Sequence, residues 1–128
     1  LNFFTKAIKW MNEGKEIALV NDQVGTPTAV HSLAEGLIKA AQSGPTGLFQ
    51  LACRGETSAE GWIRTAADLA GVVVKAKSVS RTSFSGPYRP ARSVLSSARF
   101  FDVWGLKLPS WDEALQQSMK LNPPKTWL

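Results

Sequence analysis

The sequence has little of several things that usually mark a protein's chemistry. It contains one cysteine, Cys53, and one histidine, His31, and no apolar run approaches the roughly 20 residues that a membrane-spanning helix needs. A lone cysteine cannot form an intrachain disulfide, so we expect a buried, inert thiol in a reducing, cytoplasmic protein. Because there is no long apolar run, no membrane partner is predicted. His31 has no second histidine or cysteine at ligand spacing, so no metal site is predicted.

The chemistry of an independent enzyme is also missing. There is no G-x-G-x-x-G or Walker-type phosphate loop, so no self-sufficient nucleotide fold is predicted. Short-chain reductases place a lysine four residues after the catalytic tyrosine, but Arg92 lies four residues after the only tyrosine, Tyr88. No spacing links His31 to a nucleophile. We therefore predict no catalytic residue and no bound cofactor in this chain.

Acidic residues are absent from one long stretch, between Leu69 and Phe101, in a chain whose net charge is +5. The basic residues of that stretch are Lys75, Lys77, Arg81, Arg89, Arg92 and Arg99. Such a stretch should attract anions, although a solvated basic face is an equally ordinary interpretation. Nucleic acid is disfavoured as a partner, because no docking helix with interleaved aromatic residues is recognisable.

What is present is typical of a globular domain. The 128 residues are 44% hydrophobic, which suits one domain spanning 1–128. Apolar spacing predicts helices at 3–13, from Thr28 to about residue 42, and at 58–69, and strands at 17–20, 47–52 and 72–79. Together they predict a small mixed α/β domain. Because the chain opens directly into helical periodicity without an initiator methionine, we also expect a piece of something longer.

Two helix starts carry a recognisable cap. Thr57 and Glu60 have the spacing of a capping box, in which Thr57 would accept from the Glu60 amide and the Glu60 carboxylate would reach back. Ser110 and Glu113 have the same spacing and predict a last helix to about Lys120, stopped by the prolines at 123 and 124. Residues 80–93 lie between these helices and predict a long irregular loop.

Two segments could bind an anion. In 22–28 a strand ends in a tight loop, and Pro27 and Thr28 launch a helix, which places amides and a hydroxyl at a positive helix terminus. In 89–93 the Arg89 guanidinium is held beside Pro90 and could clamp a phosphate in bidentate fashion. A rigid turn and a solvated loop are the corresponding structural alternatives.

The same segments carry a family resemblance. NDQVGTPT at 21–28 resembles the D-Q-x-G-x-P-T signature of the dTDP-4-dehydrorhamnose reductase family. GLFQLACRGETS, RPARSVLSSARF and LKLPSWDEALQQSM are similar to three further blocks of that family, in the same order across nearly the whole chain. Within these blocks Gln23, Thr28, Arg89 and Ser93 match positions that we take as substrate-binding, with Arg89 as the diphosphate contact.

The resemblance implies the C-terminal, substrate-binding portion of an extended short-chain reductase. The N-terminal Rossmann half, absent here, would bind NADPH and supply the catalytic tyrosine and lysine, while this portion would cover the dTDP-sugar. A homodimer is a further expected assembly. Tyr88, Ser96 and Ala59 depart from the family's usual arginine, aspartate and aromatic residue. The alternative is a non-catalytic regulatory module, since a regulatory subunit of methionine adenosyltransferase shares this fold.

Overall fold

The computed structural model describes residues 3–121 of the chain. Within them helices alternate with short strands, as the mixed α/β prediction requires. The helices are α1 (Phe3–Asn12), α2 (Val30–Gln42), α3 (Ala59–Ala70), α4 (Ala98–Trp104) and α5 (Trp111–Leu121). The strands are β1 (Ile17–Val20), β2 (Val24–Gly25), β3 (Thr57–Ser58), β4 (Ala76–Val79) and β5 (Arg92–Ser93). None of the helices in this range is long and apolar enough to cross a membrane.

The strands form two small sheets. β1 and β4 run parallel with Ile17 opposite Ala76 and Val20 opposite Val79, so both strands end at the same edge. In the second sheet β2 is central, antiparallel to β3 and parallel to β5. Because β2 follows β1 after only three residues, the second sheet lies directly beyond the carboxyl ends of the first.

The main hydrophobic core lies between α1, α3, α5 and β1. Its buried members are Ala7, Ile8, Met11, Ile17, Leu19, Ile63, Ala66, Ala67, Leu115 and Met119. Apolar spacing predicts a buried stripe on α1 and α3, and the structure confirms it for Ala7, Ile8, Met11, Ile63 and Ala66. The same spacing also places Leu69 in the α3 stripe, but Leu69, in the last turn of the helix, is 41% exposed.

Helix ends show where local signals were correct. Ser110 and Glu113 form the predicted capping box, with the Ser110 amide 2.8 Å from the Glu113 carboxylate. Gly71 ends α3 in the left-handed conformation, with φ of 66°, which glycine adopts without a Cβ penalty. The predicted stop at the prolines 123 and 124 lies outside the described residues.

Two predicted caps were wrong in position. Ser58, not Thr57, caps α3 and accepts from the Gly61 amide at 3.1 Å, while the Thr57 hydroxyl donates to the Ser58 carbonyl. The Glu60 carboxylate does not reach back but binds Ser78 and Arg64. α2 begins at Val30 rather than at Thr28, and its cap residue, Ala29, makes no side-chain cap.

The strand predicted at 47–52 is also wrong, and the one predicted at 72–79 begins only at Ala76. Residues 48–53 form no strand, and no described strand lies beside them. The Ser97 hydroxyl takes the place of a neighbouring strand by accepting from the Ala52 amide at 2.9 Å and donating to the Ala52 carbonyl at 3.1 Å. A β-prone sequence without a partner strand stays outside a sheet.

Helix α2 packs with an unexpected face. Its buried residues are the small Ser32 and Gly36, and a Cβ added at Gly36 would collide with the end of the Leu51 side chain. The apolar stripe predicted for its core side points outward instead: Val30, Leu37 and Ile38 are 82%, 58% and 63% exposed. Close packing through small residues therefore leaves a hydrophobic face of α2 in solvent.

Candidate functional site

The candidate site lies where the two parallel strands end. Val20 of β1 and Val79 of β4 are paired, so the segments that follow them, 21–28 and 80–91, leave the same edge side by side. Carboxyl ends of parallel strands are the usual place for a ligand in α/β folds, because successive loops converge there. Both anion-binding segments predicted from the sequence are thus brought together at one edge.

Asp22 joins the two segments. Its carboxylate accepts from the Ser80 hydroxyl at 2.6 Å and from the Arg81 amide at 2.6 Å, and it pairs with the Arg81 guanidinium at 3.3 Å. The Ser80 hydroxyl bond, followed by the Arg81 amide bond, holds the pKa of Asp22 below its usual range. The carboxylate is therefore ionised at neutral pH and fixes the start of the second segment.

The second segment is also held at its far end. The Val24 amide donates to the Ala91 carbonyl at 2.8 Å, and the Ser93 hydroxyl donates to the Val24 carbonyl at 3.4 Å. The Leu95 amide donates to the Thr26 hydroxyl at 3.2 Å. These bonds seat β5 beside β2.

A cavity of about 620 Å³ opens between the segments. Its polar wall includes Gln23, Arg81 and Arg89, and its apolar wall includes Phe84 and Tyr88. Arg81 is neutralised by Asp22, whereas the Arg89 guanidinium has no ion pair or hydrogen bond with any residue in the described range. An unpaired guanidinium beside aromatic rings suits an anionic ligand that also carries a planar ring.

A second cavity, of about 280 Å³, adjoins the first. It is lined by Gln23, Ser58, Trp62 and Ser93 among others, and Gln23 and Ala59 line both cavities. The two spaces therefore form one groove, from the Arg89 loop to the start of α3. Periodicity assigned Trp62 to the core, and it packs against the core while its side facing β2 borders this groove.

Three of the four sequence-predicted substrate residues line this groove. Gln23 borders both cavities, Arg89 the larger and Ser93 the smaller. Thr28 borders neither: its hydroxyl donates to the Thr26 carbonyl at 3.2 Å and accepts from the Cys53 amide at 3.2 Å. These positions do not test ligand contact, so the substrate-binding role of all four residues stays a prediction.

The basic residues between positions 69 and 101 have acidic neighbours in the folded structure, although none lies in that stretch of the sequence. Arg92 pairs with Glu56 at 2.6 Å, and Arg81 pairs with Asp22. Arg99 donates to the Leu48 carbonyl at 3.0 Å and lies over the Phe49 ring. Counting charges along the chain missed these partners, because each comes from a distant segment.

Sequence reasoning also missed the aromatic wall of the larger cavity. Phe84 and Tyr88 are 55% and 85% exposed, so neither belongs to the core. A usable signal was present, since large aromatic side chains in a long polar loop cannot be explained by packing in a helix or strand. Tyr88 entered the sequence argument only as a departure from a motif.

The remaining polar candidates have structural partners. His31 lies 3.2 Å from the Gln117 amide oxygen and 3.4 Å from the Ser118 hydroxyl, as expected of a satisfied helix histidine. Cys53 is buried, at 2% exposure. Across residues 3–121 no group of three or more histidine, cysteine or acidic side chains could hold a metal ion.

Comparison with known proteins matches residues 1–122 to the family described as the RmlD substrate binding domain. The dTDP-4-dehydrorhamnose reductase of Sinorhizobium fredii is 27% identical over 131 residues, covering 91% of this chain and 43% of the relative. The spore coat polysaccharide biosynthesis protein SpsK of Bacillus subtilis is 30% identical, covering 93% of this chain and 42% of the relative. This chain thus spans less than half the length of these relatives.

Solved structures give the same picture. A dTDP-4-dehydrorhamnose reductase from Bacillus anthracis, solved in complex with NADP, superposes with a TM-score of 0.88 at 26% identity. That match covers 95% of this chain and 44% of the other. A UDP-glucuronic acid 4-epimerase from Bacillus cereus has a TM-score of 0.72 at 14% identity, which shows a shared fold alone.

Proposed function

This chain belongs to the RmlD substrate binding domain family, and we propose that it forms the sugar-nucleotide-binding part of an NADPH-dependent dTDP-4-dehydrorhamnose reductase. The relatives that carry this name are more than twice as long as the matched region. In the proposed arrangement this part binds the dTDP-sugar in the cytoplasm, and the reduction of the 4-keto group requires the other half of the protein.

One observation carries the proposal. The groove at the carboxyl ends of β1 and β4 combines the Arg89 guanidinium, which has no ion pair or hydrogen bond with residues 3–121, with amide and hydroxyl groups from Gln23 and Ser93. A diphosphate needs cationic, bidentate donors, and a sugar needs neutral hydrogen-bonding groups. The larger cavity also offers the aromatic Tyr88 to a planar base.

The residues present do not fit a dinucleotide cofactor. The sequence has no glycine-rich phosphate loop, and its only tyrosine is followed at the reductase spacing by Arg92 instead of lysine. No residue of this chain is therefore assigned to NADPH or to proton transfer. The cofactor and the proton donor belong, in this proposal, to an N-terminal Rossmann domain.

The surface of α2 supports such a partner. Val30, Leu37 and Ile38 are exposed together on one face, and Leu48 on the unpaired segment nearby in sequence is 76% exposed. Several large apolar side chains exposed on one helix face suit a contact with another protein surface. We assign this face to the missing Rossmann half, with a homodimer as the second assembly it would permit.

The direct test compares two proteins. The full-length protein that contains this chain should oxidise NADPH with dTDP-4-dehydro-6-deoxy-L-mannose, and the 128-residue chain should bind dTDP without oxidising NADPH. Turnover by the 128-residue chain alone would contradict the division of labour. Binding of dTDP without any turnover by the full-length protein would favour the regulatory module.

A further inference from the structure

The segment that carries Tyr88 and Arg89 depends on its two ends. From Phe84 to Pro90 the chain makes no hydrogen bond or ion pair with the part of the protein that the structure describes. Its far end is seated by β5, and its near end follows the 3-10 helix Arg81–Ser83. The position of the Arg89 guanidinium therefore depends on how firmly these ends are held.

The near end follows directly on the β1–β4 pairing at Val79, and within the described chain the hydrogen bonds of residues 80–83 to distant residues all go to Asp22. One of its carboxylate oxygens accepts from the Arg81 amide, and the other accepts from the Ser80 hydroxyl and the Arg81 guanidinium. The Ser80 hydroxyl also accepts from the Thr82 amide at 3.3 Å and so caps the 3-10 helix. Asp22 thus fixes both the residue that caps this helix and the residue that begins it.

Asp22 lines neither cavity, although its neighbour Gln23 lines both. We propose that Asp22 is a positioning residue: by binding Ser80 and Arg81 it sets the loop that presents Arg89 to the anionic part of the ligand. This inference rests on the proposed function, since it names how the same groove is organised. Asp22 itself does not contact the ligand.

A carboxylate is required for this role. Its two oxygens must accept from three donors, whereas an amide has one acceptor oxygen and a donor group that would face the Ser80 hydroxyl and the Arg81 guanidinium. The Asp22→Asn variant would therefore keep part of the anchor, and the Asp22→Ala variant would keep none of it. The bonds from the Ser80 hydroxyl and the Arg81 amide also hold the pKa of Asp22 low, so the anchor persists at neutral pH.

The first experiment is calorimetric titration of the full-length protein with dTDP. Arg89→Ala should weaken binding by about tenfold to a hundredfold, and Asp22→Ala by about tenfold, with Asp22→Asn between Asp22→Ala and the unmodified protein. Because Asp22 acts through Arg89, the double variant should bind no more weakly than Arg89→Ala alone. Additive losses in the double variant would overturn the positioning role.

Two further variants test the anchor independently, one by removing a single contact and one as a control. Ser80→Ala removes one of the three contacts and should give a smaller loss in the same direction, even if Asp22→Ala fails to fold. Glu13→Gln removes a surface carboxylate that pairs with Lys15 at 2.6 Å and lines neither cavity of the groove, so it should leave dTDP affinity unchanged. Equal losses in Glu13→Gln and Asp22→Asn would overturn the proposal.

Trypsin tests the anchor without any ligand. The bond after Arg89 precedes proline and resists trypsin, and fragment masses distinguish cleavage after Arg81 from cleavage after Arg92, so the bond after Arg81 can be followed by itself. Asp22→Ala should be cut there at least several-fold faster than the unmodified protein, and Glu13→Gln should not. If unmodified protein bound no dTDP, the proposed function would fail, and unchanged cleavage in Asp22→Ala would separately refute the anchor.

Discussion

Helices α2 and α3 have nearly the same pattern of apolar residues, but only α3 buries its apolar face. Both repeat apolar residues at spacings of three and four, yet α3 buries Ile63, Ala66 and Ala67 while α2 buries Ser32 and Gly36. The α3 side of the molecule also carries the groove, and the α2 side carries an exposed apolar face. A hydrophobic stripe thus predicts that a helix forms, and says nothing about which surface covers the stripe.

The two sides of the molecule are also expected to serve different functions. Changes on the α3 side should affect folding and ligand binding, because its residues build the core and line the groove. Changes on the α2 face should affect association with a partner and little else.

The largest effect is expected in the core. Ile63 is fully buried, so Ile63→Ala should lower the free energy of unfolding by about 2–5 kcal/mol. Ile38 is 63% exposed, and Ile38→Ala should change it by less than about 0.5 kcal/mol in the 128-residue chain. Urea denaturation of both variants measures the contrast. Equal losses would show that the α2 face is buried in solution.

The next effect concerns the ligand. In the proposed function Arg89 makes a charge-assisted bond worth roughly 1.5–3 kcal/mol, so Arg89→Ala should weaken dTDP-sugar binding by about tenfold to a hundredfold with little change in stability. Lys75 is exposed and lines neither cavity, so Lys75→Ala is the matched control. If titration gave the two variants the same loss, the basic stretch would be a solvated face.

A smaller effect is expected on the α2 face. The 128-residue chain should self-associate at high concentration, and the double change Leu37→Ser and Ile38→Ser should weaken that association by about tenfold, since it removes exposed apolar area. Sedimentation velocity reports the association, and dTDP affinity should stay the same. A chain that is monomeric at every concentration would count against the α2 face as a contact surface.

The smallest effect is expected on stability at acidic pH. The Ser78 hydroxyl, and next the Arg64 guanidinium, lower the pKa of Glu60 at the start of α3. A carboxyl whose pKa is lower in the folded state contributes stability above its unfolded pKa of about 4.3 and loses it as pH falls through the folded value. Melting temperature should therefore fall less between about pH 5 and pH 3 in Glu60→Gln than in the unmodified chain. An identical slope would exclude this linkage.

Local physics made much of the fold predictable. The apolar spacing of α1 and α3 and the Ser110 capping box that opens α5 depend on contacts within a few residues, and the structure confirms each of them. The mixed α/β class and the family resemblance were likewise readable, because motif order survives in the sequence. The position of the α3 cap was wrong by one residue, since the Ser58 hydroxyl, and not that of Thr57, accepts from the Gly61 amide.

The sequence alone determined the helices, most of the core and the two loops that form the groove, because periodicity and turn chemistry are local. Only the tertiary structure decided which distant segments contact one another. It paired Arg81 with Asp22 and Arg92 with Glu56, left Arg89 free within residues 3–121, gave 47–52 no strand partner and turned the α2 stripe outward. Each of these outcomes depends on segments distant in sequence, and no local pattern encodes their meeting.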